Sequence, residues 1–399
     1  MAPRVADLTA DTFRELTRER RLIGELNDEI LRAQIAVAQI AAPTGAERRR
    51  ARWVADRFQD AGLSATLDGA DNVVARAPGA YAGAAVVVCA HLDTVFPEET
   101  SLAIRRDGSR IVGPGICDNG RGLAVMLVLA RMVQKCSAAF ARAVEFVATT
   151  GEEGAGDLRG AKHYFANAPR PFAVIAVDGA GDERIVNTAL GSRRFRVVYR
   201  GPGGHSWAAF GAPNPVHAAA RAAANLANLR VRGAGRSALS VSRIGGGLSI
   251  NAIPEEAWLE IDSRSTSHAT LGVLEREIRA IAVAGAVEEN DKRSAGTHAL
   301  TYRIERIGDR PSGRTPEDSP LVLAALEATR LVGRSPELAT ASTDANAAIG
   351  AGAQAIAIGG GGRGGDAHSS REWFDNTSGT SGVERALTIV ATMARLAAD

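Results

Sequence analysis

The sequence predicts an α/β protein: a mostly parallel sheet with helices on both faces, interrupted by an inserted α+β sandwich. Three observations carry this reading. Short segments that are apolar through their whole length alternate with helical patterns, as in a parallel sheet covered on both sides. From about Leu190 to Ile307 the texture changes to strands in which polar and apolar residues alternate. Beyond the turn-rich stretch 309–320 the first texture returns. The implied division is 1–189 with 308–399 for the α/β domain and 190–307 for the insertion. A chain of 399 residues is long for one core, so two domains are expected.

Apolar residues at helical spacing (Leu22, Leu26, Ile30, Ile35, Val37, Ile40) predict a helix over 22–42, stopped by Pro43. A second helix fits 47–61, with Gly62 where a capping glycine belongs. Buried strands are predicted over 84–90 (AAVVVCA), 143–148 and 173–177, and a buried helix over 123–133. In the insertion, 193–200 (RRFRVVYR), 238–244, 257–262 and 300–307 read as strands, with helices over 215–229 and 271–283. That order, strand–helix–strand–strand–helix–strand, describes a sandwich of roughly a hundred residues, an ordinary domain size. A helix over 321–332 and a strand over 353–358 complete the α/β domain.

Composition excludes several function classes. With 47 Lys+Arg against 45 Asp+Glu the net charge is +2, which leaves no electrostatic footprint for nucleic acid or an anionic membrane. No run approaches the roughly eighteen apolar residues of a membrane helix. The stretch 1–21 is polar and lacks the apolar region of a secretory signal, so a soluble cytoplasmic protein is expected. Cys89, Cys117 and Cys136 are an odd three, which excludes a disulfide framework and suits a reducing compartment.

Acidic and His residues fall at the ends of apolar strands, where open parallel sheets place their ligand sites. In HLDTV, His91 and Asp93 point the same way in extended chain. His91 can then bind a metal while Asp93 accepts its other ring N–H; alone, they also read as an ordinary hydrogen-bonded pair. In GPGICDNGRG, Asp118 sits just before a long apolar helix and by itself reads equally as an N-cap. Its glycines resemble a phosphate loop but lack the Gly-Lys that follows in one. TTGEEGAG places Glu152 and Glu153 side by side after an apolar strand, as a solvated acidic turn or as one ligand and one base. Asp178 follows AVIAV in VDGAG, and His368 lies in the glycine-rich GGGGRGGDAHSS, which alone reads as a flexible loop. Together these strand ends present His, Asp, Glu, Asp and His. Mixed imidazole and carboxylate donors suit Zn²⁺, Mn²⁺ or Co²⁺, and five suffice for two metals if one carboxylate bridges.

HLDTV, GPGICDNGRG, GEEG, VDGAG and GDAHS, in this order and spacing, resemble the motifs of peptidase family M20. These are co-catalytic metallohydrolases that include tripeptidase T, carboxypeptidases, aminoacylases and succinyl-diaminopimelate desuccinylase. The tail STDANAAIGAGAQAIAIGGGGRGGDAHSSREWFD is most similar to the tripeptidase T-like branch, and the likeness covers almost the whole chain. The resemblance implies two divalent metal ions per chain, Zn²⁺ before Mn²⁺ or Co²⁺, with Asp118 as the bridge. It implies His91 and Asp178 at one metal, Glu153 and His368 at the other, Asp93 orienting His91, and Glu152 as general base. The insertion would be a lid and dimerisation domain, making the protein a homodimer. There His205 (GPGGHSW) would stabilise the oxyanion, in its own or the partner's site, and Asn251 (SINAIP) and Arg264 (DSRS) would hold the substrate.

Two departures stand out. Many members carry Asp-Asp or Asp-Met-Lys after the bridging position, whereas Asn119, Gly120 and Arg121 follow here, which bears on substrate preference. Cys89 and Cys117 flank ligand positions but read as small buried hydrophobes. The expected substrate is a short peptide. A second reading with the same chemistry is an amidohydrolase of N-acyl amino acids. A third, an inert binding or scaffold protein that kept the fold, would have lost Glu152 or a ligand, and all are present.

Overall fold

Val86–His91 (VVVCAH) forms a strand in which all six residues are buried. Its side chains alternate between two cores: Val86, Val88 and Ala90 enter one, Val87 and Cys89 the other. Both faces are covered, so the strand is apolar throughout; burying each valine contributes about 1.5–3 kcal/mol. The computed structural model describes residues 2–80, 83–136, 140–231, 233 and 235–396. By its contacts the chain divides into two compact units, Met1–Ala189 with Arg314–Asp399, and Leu190–Gly313.

The central sheet of the first unit runs Ala65–Leu67, Val73–Ala77, Val144–Thr149, Val86–His91, Ala173–Val177, Ala355–Ile358 and Arg184–Ala189, the last also pairing Glu337–Ala341. Its middle four strands are mutually parallel, as predicted, and antiparallel strands flank them. Helices Arg48–Asp60, Gly120–Cys136, Pro320–Leu331 and Gly379–Arg395 cover one face, and Arg159–Asn167 with Ala345–Gly350 cover the other. In register His91 stands opposite Thr149, Cys89 opposite Ala176 and Val177 opposite Ile358. The parallel strands therefore finish at one edge, where His91, Glu153 and Asp178 end or follow them.

The N-terminal region differs from the expectation. The helix predicted over 22–42 is two, Thr17–Glu25 and Asn27–Ala38, joined at Leu26. The polar stretch before it is also helical, Ala2–Glu15. Val5, Thr9, Thr12 and Leu16 are buried along one face at helical spacing. Two threonines occupy that stripe, and the Thr9 hydroxyl donates to the Val5 carbonyl at 2.7 Å, so the pattern does not read as apolar. The GGGGRGG run is likewise more ordered than a flexible loop. Gly360 and Gly361 donate to the carbonyls of Gly179 and Gly181 at 2.9 Å. A Cβ on Gly359 would meet the Ala180 carbonyl oxygen at 2.1 Å, which only glycine avoids. Arg363–Gly365 then pairs with Trp373–Asp375, so His368 sits in the loop of a hairpin.

The second unit is a four-stranded antiparallel sheet in the order Ser237–Gly246, Glu256–Ser265, Gly191–Arg200, Thr301–Arg310. Alternate residues of Glu256–Ser265 are buried, the pattern of a sheet covered on one face. Helices Pro215–Ala227 and His268–Asn290 supply that cover. The Asn214 and Ser267 side chains cap them, accepting N–H groups of Val216 and Thr270.

Candidate metal centre

Five segments distant in sequence meet at the C-terminal edge of the first unit's sheet. His91 is almost fully buried, and its Nε2 lies 3.0 Å from Asp118 Oδ1 and 3.9 Å from Asp178 Oδ1. His368 Nε2 lies 3.1 Å from Asp118 Oδ2 and 2.8 Å from Glu153 Oε1. Asp118 thus presents one oxygen to each imidazole. The cluster divides about it into His91 with Asp178 and His368 with Glu153. Donor atoms of His91, Asp118 and Glu153 all lie within 4.8 Å of one another. Two imidazoles and three carboxylates, without a thiolate, fit two divalent cations sharing one carboxylate.

Asp118 owes its position to its neighbours. Asn119 is fully buried; its amide donates to the Val177 carbonyl at 2.9 Å and its oxygen accepts the N–H of Gly122 (3.0 Å) and Gly179 (3.2 Å). It therefore ties the start of helix Gly120–Cys136 to the end of the strand that precedes Asp178. Arg121 is also buried and donates to the carbonyls of Gly360 (2.8 Å) and Gly379 (2.7 Å). Asn119 and Arg121 thus serve as scaffolding around Asp118.

Asp93 meets His91 and also holds the neighbouring loop. His91 Nδ1 lies 3.0 Å from the backbone carbonyl of Asp93 and 3.5 Å from its carboxylate, so the carbonyl is the nearer partner. The carboxylate also accepts the N–H groups of Glu152 (2.8 Å) and Glu153 (2.9 Å) and the Thr44 hydroxyl (2.8 Å). Glu152 and Glu153 are both buried. Glu47 braces the same loop from behind, accepting the N–H of Gly151 at 3.0 Å.

The electrostatics follow from crowding charges in a buried place. Burial opposes the charge on His91, but hydrogen bonds to Asp118 and Asp93 outweigh it and push its pKa well up. Burial likewise opposes ionisation of Asp118, yet bonds to His368 and His91 hold its carboxyl well below the usual carboxylate range. Asp93, buried but bonded to His91 and to the Glu153 N–H, falls to about 2. Asp178 is pushed up to about 7 by burial and by the charge of Asp118. His368 rises to about 9 through its bond to Asp118. Burial raises Glu153 as well. Protons and divalent cations therefore compete for one set of donor atoms.

Three predicted site residues belong to the second unit. His205 is exposed, in a two-residue ladder where Gly204–His205 pairs with Ala252–Ile253. Its Nδ1 accepts the Trp207 N–H at 3.2 Å, which leaves Nε2 to carry the ring proton. The Asn251 carbonyl accepts the Ser206 N–H, which links the two loops. Arg264 Nε donates to Asp262 at 2.7 Å.

Sequence reading missed Thr44, Glu47, Asp344 and Glu372. Asp344 is buried and accepts the Thr149 hydroxyl at the end of Val144–Thr149. Glu372 is fully buried and accepts three N–H groups from the turn before Asp118. Glu47, Asp344 and Glu372 each lie more than 100 residues in sequence from most of what they hold, and Thr44 lies 49 from Asp93, so no local pattern announces them. For the three carboxylates, only the buried setting of an acidic residue marks them.

The chain is similar to known hydrolases. The sequence is 27% identical over 173 residues to a LysW-lysine/LysW-ornithine hydrolase of Pyrococcus abyssi; the match covers 43% of this chain and spans 47% of that relative. It is 26% identical over 282 residues to a succinyl-diaminopimelate desuccinylase of Methylibium petroleiphilum, covering 65% of this chain and 68% of that one. The fold is similar to a tripeptidase from Staphylococcus aureus, with a TM-score of 0.76 at 19% identity over 93% of this chain and 99% of that one. It is also similar to the aminopeptidase PepT from Bacillus cereus (TM-score 0.71, 19% identity, 92% and 99% covered). A dinuclear metal-binding peptidase of the M20 family from Bacillus subtilis shares it too (TM-score 0.68, 16% identity, 93% and 99% covered). The profile of peptidase family M20/M25/M40 matches residues 87–397, and the chain belongs to that family of hydrolases.

Proposed function

We propose that the protein hydrolyses a peptide or amide C–N bond in short peptides, with two divalent cations held by His91, Asp118, Glu153, Asp178 and His368. The observation that carries this reading is Asp118, whose two carboxylate oxygens face two different imidazoles at 3.0 and 3.1 Å. The donor set favours Zn²⁺, with Mn²⁺ and Co²⁺ as alternatives. When bound, such cations acidify water and polarise a carbonyl. The chain's own groups then divide the remaining work. Glu152, buried beside the ligand Glu153, takes the proton of the attacking water and returns it to the departing amine. Asp93 fixes the peptide that carries both glutamates. His205 donates its Nε2–H to the developing oxyanion. Asn251 and Arg264 bind the substrate, Arg264 as a carboxylate clamp through the guanidinium nitrogens beyond the Nε that Asp262 engages.

The insertion further supports a homodimer. Ser237–Gly246 is the outer strand of its sheet, and Trp207, Phe210, Ile244, Leu248 and Ile250 are exposed apolar side chains of the same unit. Light scattering that gives a monomer at assay concentration overturns the dimer alone. Among the described residues no helix is long and apolar enough to cross a membrane, and the described cysteines are free thiols, which fits a cytoplasmic setting.

The likeness to a desuccinylase favours a second reading, an amidohydrolase of N-acyl amino acids. The test strips the protein with chelator, reloads it separately with Zn²⁺, Mn²⁺ or Co²⁺, and assays short peptides beside N-acyl amino acids. Turnover of peptides supports the first reading, and turnover of the acylated amino acids alone supports the second. Undiminished turnover in a verified metal-free sample overturns both.

A further inference from the structure

We propose that Glu372 is a positioning residue of the metal centre: it locks the shared carboxylate Asp118 to the loop of His368 before any cation arrives. This rests on the reading of Asp118 and His368 as ligands. The Glu372 side chain is fully buried; the Arg50 guanidinium acts on it through charge at longer range, and its direct partners are backbone N–H groups. A buried carboxylate is costly unless hydrogen bonds replace its hydration. Here they come from one turn: Oε2 accepts the N–H of Gly115 at 3.0 Å, and Oε1 those of Cys117 and Asp118 at 2.7 Å each.

The main chain of Glu372 extends the same connection. Its carbonyl accepts the Gly113 N–H at 2.8 Å, so four bonds reach the 113–118 turn. Its own N–H donates to Ser369, the residue after His368, at 3.1 Å. Asp366 and His368 hold φ of 55° and 64°, a left-handed backbone that non-glycine residues keep only where their surroundings impose it. Glu372 supplies that constraint on one side and grips the backbone of Asp118 on the other. One residue thus sets the distance between a shared ligand and a ligand of the second cation. Neither side chain is touched, so Glu372 acts through the backbone.

The test uses E372Q and E372D in the full chain, stripped of metal. The Gln oxygen can keep the Cys117 and Asp118 N–H groups, but its amide then faces the Gly115 N–H, donor against donor. Calorimetric titration with Zn²⁺ should show affinity lower by roughly 10–100-fold, the usual effect of losing a partner that orients ligands. Co²⁺-loaded E372Q should have an altered visible absorption spectrum, which a change in stability alone does not produce. E372D keeps the charge on a shorter stem and should fall between the two. In the unaltered metal-free protein, the amides of Gly115, Cys117 and Asp118 should already be protected from hydrogen exchange. Absence of that protection overturns the proposal even if both variants fail to fold. Wild-type affinity and an unchanged Co²⁺ spectrum in a folded E372Q also overturn it. If the unaltered chain takes up no cation at all, the metal reading fails instead, a separate outcome.

Discussion

The carboxylate of Asp93 accepts the backbone N–H of Glu153 at 2.9 Å, so the ligand loop after one strand hangs from the end of its neighbour. The same carboxylate takes the Glu152 N–H at 2.8 Å and the Thr44 hydroxyl at 2.8 Å. One anion thereby orients the candidate base and the candidate ligand together. Asp93→Asn replaces an oxygen by an N–H donor that must face another donor. Metal affinity, measured by titration, should fall by roughly 10–100-fold while the circular dichroism of the fold is retained. Unchanged affinity would show that Glu47 suffices to hold the loop.

Glu152 is the carboxylate left over once Glu153 is assigned to a cation. Glu152→Gln should keep two cations per chain and bind substrate, yet lower kcat by on the order of 10²–10⁴. Metal analysis beside steady-state kinetics checks this. A variant that loses a cation and activity in parallel would mean that the two glutamates have exchanged roles.

Proton occupancy of the cluster makes the stripped protein sensitive to pH. Asp178 is raised by burial and Glu372 by burial, each to about 7, and His368 by its bond to Asp118, to about 9. All three bind protons more tightly folded than unfolded. The folded state therefore carries more protons between about pH 4 and 9, and this contribution to stability is lost as pH rises through that window. Thermal melts of chelator-treated protein should show Tm falling from pH 6 to 9. Added Zn²⁺ should flatten the slope, because cations then take the place of protons. Equal slopes with and without metal would contradict the assignment.

His205 carries its ring proton on Nε2 because Nδ1 is engaged by the Trp207 N–H at 3.2 Å. His205→Ala should lower kcat by roughly 10²–10³, as for a lost oxyanion donor, with metal content unchanged. Mixing this variant with Glu152→Gln tests whether the imidazole serves a partner's site. Recovered activity on subunit exchange means that it does. No recovery despite proven exchange means that His205 works within its own chain or not at all.

What the sequence by itself determined is the sheet and the ligand types. Full burial on both faces demands unbroken apolar strands such as VVVCAH, and parallel strands must finish at one edge. His91, Glu153 and Asp178 at successive strand ends had to converge there, whatever the loops between them did. The tertiary structure alone decided how those groups are held. Glu372 carries no local signal, Glu47 reads as the start of a helix, and Asp93 as a partner for the ring of His91. Their carboxylates also serve backbone N–H groups, Glu372 and Glu47 reaching turns more than 100 residues away and Asp93 one nearly 60 away. Hydrophobic burial repeats with the period of a strand or helix and so is written locally. A hydrogen bond between remote segments leaves no such period, and only the folded chain brings its donor and acceptor together.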